Sequence, residues 1–242
     1  MARTSEGALL TERHRVAQVG LRAAALRDLT VLWRSVRVDD LRGTIGPFAV
    51  AGAQMVRARH RESAGQARDY FQVFRRVERV SGAVAVIAAD PPAELAAASS
   101  LRGSALAGVI DARRRGRPME AAARAGLTRC SGSMSDLVLD GARDMLTRAA
   151  ESDPQSTGRW QRVTSGDPCA FCAMLAARGP VFSRDTGGFD AHSHCACQAE
   201  VVFEGSQMSD RSQRLANLWE STTEGLDGAD ALNAFRQSIE GR

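Results

Sequence analysis

A mainly α fold carrying one small zinc-stabilised α+β module is predicted by three features of the sequence. Residues 1–150 carry apolar side chains at helical spacing with few breakers. After Asp153-Pro154 the chain turns to short strand-like pieces separated by Gly and Pro. Four of the five cysteines then fall between positions 169 and 197, a density that points to a cross-linked or metal-bound unit. The expected organisation is an α-helical region over 1–150, a zinc-binding module over 151–205 with its motif in 158–205, and a C-terminal helical tail over 206–242.

The long helices come first. Val16, Val19, Ala23, Leu26, Leu29, Trp33 and Val36 step by three and four, which predicts one apolar stripe on a long helix. Asp39 and Asp40 suit a cap and Pro47 a first turn, so a second helix is expected from 48 to about 80. Tyr70, Phe71 and Phe74 are its core anchors. The apolar run 83–89 is read as a buried strand or short helix, ended by Asp90-Pro91-Pro92. Residues 91–150 again read as helix, with interruptions expected near Gly103, Gly116-Arg117-Pro118 and Gly132.

Smaller elements follow. Residues 160–163 read as a strand entering a turn at 165–168, and 170–178 as a short helix stopped by Gly179 and Pro180. Residues 181–182 and 199–203 are further strand candidates. In the tail, Leu215, Leu218 and Trp219 mark one helix. Leu232, Phe235 and Ile239 mark another, with Asp227 as its cap. Either helix suits a partner surface as well as the chain's own core.

Composition excludes several classes. Of 242 residues, 44% are hydrophobic and 25% charged, which argues against overall disorder. No apolar run approaches the roughly 20 residues of a spanning helix, and the opening residues lack an apolar signal core. A cytoplasmic, non-membrane protein is expected. Every basic residue is Arg. Residues 1–150 hold 24 Arg against 15 Asp and Glu, and the remainder 8 against 13. The N-terminal excess suits nucleic acid or an acidic protein surface. Arg113, Arg114, Arg115 and Arg117 are its densest run; a solvated loop accounts for them equally well, and no aromatics are interleaved for base stacking.

The strongest signal is Cys169-Ala-Phe-Cys172 followed by His192-Ser-His-Cys195-Ala-Cys197. A Cys-x-x-Cys turn closed by a second pair about 20 residues later is the spacing of a structural zinc module. Cys169, Cys172 and Cys195 are the primary candidate ligands. The fourth is His192, which requires a turn through Ser193-His194, or Cys197, which an extended strand places on the same side as Cys195. Disulfides are the alternative, disfavoured in a cytoplasm. Cys130 reads as a plain thiol. Pro168-Cys169-x-x-Cys172 with His60-Arg-Glu62 also matches a zinc deaminase pattern, but its halves lie over 100 residues apart.

Trp160-x-Arg162-Val163, Asp167-Pro-Cys169-Ala-Phe-Cys172-Ala-Met-Leu175, Arg178-Gly179-Pro-Val-Phe182 and His192-x-x-Cys195-x-Cys197 with Val201-Val-Phe203 resemble the MuF-like minor head proteins of tailed bacteriophages, in the form found in actinobacterial phages and prophages. The resemblance covers about residues 158–205. It implies a structural virion protein at the portal vertex or head interior, made in the host cytoplasm. Its partners would be the portal protein, with major capsid or scaffold protein and packaged double-stranded DNA as further candidates. Its roles would be in head assembly, DNA packaging or ejection. Cys169, Cys172, His192, Cys195 and Cys197 correspond to the recurrent Cys/His positions of that family, so a structural Zn²⁺ and no enzymatic activity are expected. The other readings are a zinc-dependent deaminase or hydrolase and a zinc-stabilised DNA-binding module.

Overall fold

The computed structural model describes residues 2–84, 89–164, 168–186 and 188–241. Most of the apolar run 83–89 and the turn at 165–167 lie outside the described residues.

Four long helices dominate: α1 (Ser5–Leu32), α2 (Leu41–Val77), α3 (Glu94–Arg114) and α4 (Met119–Ser152). The Thr4 hydroxyl accepts the Gly7 N–H at 3.0 Å and caps α1. Asp40 caps α2 by accepting the Gly43 N–H at 3.1 Å. That cap starts α2 seven residues before the expected position 48, so Pro47 lies inside the helix and not at its start.

The stripe expected on α1 meets the core only in its second half, where Leu29 and Trp33 are buried and Leu26 and Val36 pack against the same core. Val16 is 53% exposed, and of the seven stripe positions only Leu29 and Trp33 are buried. The buried face is Gly7, Thr11, His14, Gln18, Leu21, Ala25 and Leu29. The cause is the polar surface that faces the first half of α1. Thr11 bonds the Tyr70 hydroxyl at 2.7 Å and donates to Glu200. The Ser63 hydroxyl donates to Gln18 Oε1 at 2.7 Å. Polar groups with such partners are buried without the penalty of an unmade hydrogen bond.

Of the three interruptions expected between 91 and 150, only Gly116-Arg117-Pro118 occurs. Gly116 turns the chain at φ +71° and Pro118 precedes α4. Gly103 and Gly132 lie within helices. A helical glycine costs only about 1 kcal/mol relative to alanine, less than the packing of Leu101, Ala105, Met134 and Val138 provides. Other glycines let helices touch. A Cβ at Gly108 would overlap the Ala125 carbonyl, and one at Gly141 would overlap the His60 carbonyl.

The sheet is an antiparallel pair, β1 (Ser156–Val163) and β2 (Gln198–Phe203), with Trp160 opposite Val201 and Arg162 opposite Ala199. Residues 181–182 contribute only an isolated bridge from Phe182 to Trp160. One core joins Phe71 and Phe74 of α2, Met145 and Leu146 of α4, and Trp160, Val201 and Phe203 of the sheet. A second lies among the four long helices. The tail forms α6 (Asp210–Thr223) and α7 (Gly228–Glu240). Both pack on α5 (Ala170–Ala177), where Leu215 and Phe235 meet Ala170, Ala173 and Ala176. Asp227 occupies the α7 cap position, with no side-chain cap bond.

Candidate metal centre

Cys169 caps α5, its sulfur accepting the Cys172 N–H at 3.4 Å. The two cysteines therefore stand one turn apart at the start of a helix. The second half is a tight turn. Cys195 N–H donates to the His192 carbonyl at 3.0 Å and His194 adopts φ +70°. This is the turn His192 needs to reach the cysteines. Cys197 N–H then donates to Cys195 Sγ at 3.4 Å.

All five expected residues converge in two triads that share Cys172. One holds Cys169, Cys172 and His192, the other Cys172, Cys195 and Cys197; donor atoms within each lie within 4.8 Å of one another. His192 Nε2 is 2.8 Å from Cys169 Sγ and 3.4 Å from Cys172 Sγ. The sulfurs of Cys172 and Cys195 are 3.5 Å apart, far beyond a disulfide bond of about 2.05 Å. Zinc at roughly 2.3 Å from sulfur and 2.0–2.1 Å from nitrogen sets donor separations of about 3.5–3.8 Å. The separations at Cys172 are close to that tetrahedron, whereas His192 and Cys169 stand closer together than a shared ion would hold them; thiolate with imidazole is a donor set zinc favours.

The imidazole is oriented for such a role. His192 Nδ1 lies 2.9 Å from the Ser193 carbonyl. A carbonyl only accepts, so Nδ1 carries the proton and the Nε2 lone pair is left facing the sulfurs. Among the thiols, Cys195 is held well below the usual range, because its sulfur accepts hydrogen bonds from Cys172 and Cys197.

Three contacts from the long helices hold the second half of the site. Arg143 is fully buried and donates to the carbonyls of Cys195 (3.0 Å) and Cys197 (3.2 Å). Arg22 donates to the His194 carbonyl at 2.8 Å. Gly132 leaves room for Ser193, which a Cβ would approach to 2.9 Å. The Phe189 ring lies under both Arg143 and Arg162, 5.1 and 4.0 Å from their guanidinium carbons. Sequence reasoning did not single out Arg143. Its signal was one arginine between Asp140 and Asp144 amid Val138, Leu139, Ala142, Met145 and Leu146, and it pairs with Asp140 at 3.0 Å.

The remaining candidates stay apart. Cys130 is buried, with burial pushing its thiol up to about 12. His60 is buried on α2 with Nδ1 2.9 Å from the Leu137 carbonyl, while Glu62 is exposed and pairs with Arg59 at 2.8 Å. Neither joins a metal-competent group among the described residues, so the His-x-Glu half of the deaminase pattern is not assembled. The apolar face of α5 is covered by α6 and α7 and is not free to enter a DNA groove.

No helix among the described residues is long and apolar enough to cross a membrane. No curated protein and no solved structure shows significant similarity to the chain. A family model described as VG15 protein matches residues 8–222, a span that runs from α1 through the candidate metal centre into α6. The chain therefore belongs to the VG15 protein family, a family of viral genes.

Proposed function

We propose that this chain is a structural minor head protein of a tailed phage, acting at the portal vertex or inner capsid during head assembly, DNA packaging or ejection. The observation that carries the reading is the Cys/His centre, whose two donor triads share Cys172 and whose backbone is bound by α1 and α4. Zinc would be held there by Cys169, Cys172 and Cys195 with His192 or Cys197. A bound ion of this kind supplies a cross-link, and four protein ligands leave no position for a substrate. The reading is therefore of a non-enzymatic protein. Family membership supports a viral origin, and the MuF-like resemblance of residues 158–205 supports the head as its place.

The portal protein is the proposed principal partner, with major capsid or scaffold protein as neighbours. The long helices supply the contact surface, since the apolar residues of the tail are spent on α5. Cross-linking mass spectrometry on purified particles should join residues of α1 or α2 to the portal. Cross-links confined to tail proteins, or absence of the chain from particles at every assembly stage, would refute this placement. Robust hydrolysis or deamination by purified protein would refute the structural role.

A further inference from the structure

The end of the helical bundle where α3 turns into α4 carries charge that the metal centre does not use. Arg113, Arg114, Arg115 and Arg117 are all exposed around the Gly116 turn. The turn is braced by Arg113, which donates to the Arg117 carbonyl at 2.7 Å. None of these four has an acidic partner among the described residues. Beside them, Arg115, Arg117 and Arg129 line a cleft of about 300 Å³ whose wall includes Ala121 and Ala125. The cleft's one acid, Asp111, is already paired with Arg129 at 2.8 Å. Val38 and Leu41 pack against Val109, Ala112 and Ala122. That contact brings the exposed Arg42 to the same end of the bundle, together with Arg37, which pairs with Asp39 at 3.5 Å.

We propose that this bundle end is a docking surface for the phosphate backbone of duplex DNA. Guanidinium groups grip phosphate oxygens with two parallel N–H donors. Here they border a shallow cleft walled by small side chains, which admits a phosphodiester while charges on both sides reach its neighbours. Helices about 10 Å across spread these groups over several phosphates of a regular polyanion. No aromatic side chain is among the cleft-lining residues, so binding is to backbone and independent of sequence. The surface is separate from the metal centre and does not depend on the virion assignment.

The test is binding of full-length protein to a labelled random-sequence duplex across a salt series, read by fluorescence anisotropy. The comparison is a variant with Arg113, Arg114, Arg115 and Arg117 changed to Ser, alongside Arg13→Ser/Arg61→Ser/Arg68→Ser/Arg76→Ser, which removes equal charge elsewhere. Affinity should fall steeply with salt. The first variant should lose at least about tenfold at low salt and show a slope shallower by roughly 0.9 per phosphate contact removed. The second should lose much less, with both retaining wild-type helix content and metal content. Equal losses in the two variants would overturn the assignment. So would unlabelled polyglutamate competing as well as unlabelled duplex at equal charge, which would reassign the surface to an acidic protein partner.

Discussion

Arg143 donates from its Nη2 to the backbone carbonyl of Cys195 at 3.0 Å, joining the middle of α4 to the turn that carries half of the candidate metal centre. The guanidinium is fully buried and also reaches the Cys197 carbonyl. Replacing Arg143 with Ala would leave both carbonyls unpaired and a void beneath Phe189. We expect a loss of about 3 kcal/mol or more in urea unfolding, with weakened metal retention. Arg143→Lys should recover only part of this, since an ammonium lacks the planar fork. Wild-type stability in the Ala variant would show that the contact is dispensable.

Metal removal should separate the five cysteines. Protein purified without chelator is expected to hold close to one zinc per chain. Cys172→Ser, which removes the sulfur shared by both triads, should abolish binding, whereas Cys130→Ser should not. Chelation should lower the thermal midpoint of the wild type, because ligation energy is folding energy for such a module. Elemental analysis showing full zinc in Cys172→Ser would sink the assignment.

Two glycines of the long helices should respond in opposite directions. Gly141→Ala places a methyl group against the His60 carbonyl and should cost roughly 1–3 kcal/mol or more by forcing α2 and α4 apart. Gly65 has open space where a Cβ would go. Gly65→Ala should stabilise by about 0.4–1 kcal/mol through the unfolded chain's lost freedom. Denaturant midpoints measured together would decide both.

His14 should make stability depend on pH. It stacks on Tyr70 at 4.5 Å, and burial pulls its pKa down to about 4. The unfolded chain binds a proton near pH 6.5 and the folded chain does not, so this contribution is intact above 6.5 and is lost as pH falls toward 4. The full difference is on the order of 3 kcal/mol. A His14→Phe variant, which keeps an aromatic ring beside Tyr70, should show a shallower decline over this window. Parallel pH profiles would assign the decline to other groups.

The tail is expected to behave as part of the fold. Phe235 is fully buried on α5, with Trp219 at 5.0 Å between ring centroids. Phe235→Ala should cost about 3–5 kcal/mol locally and loosen α7, seen as faster amide exchange in α6 and α7 than in α4. Unchanged exchange would mean that the tail is held by other contacts.

Much of this molecule could be read from local pattern. Helical spacing located the long helices, and the αL turn at Gly116 with Pro118 ended α3 because these residues act on their own backbone. The spacing of Cys169, Cys172, His192, Cys195 and Cys197 announced a shared site. The need of His192 for a turn at residues 193–194 followed from strand geometry alone. What tertiary structure decided was which surface each element meets. The apolar stripe beginning at Val16 is a property of α1, but burial depends on the face presented opposite, and there Tyr70, Ser63 and Glu200 select Thr11 and Gln18 instead. Likewise Gly132 looks like a breaker until the side chains of Ser193 and His194 occupy the space its missing side chain leaves, as the His60 carbonyl does at Gly141. Arg143 looks like a misplaced charge until the carbonyls of Cys195 and Cys197 arrive from more than 50 residues away. Periodicity records what a segment can bury; only its neighbours, brought close by the whole chain, determine what it does bury.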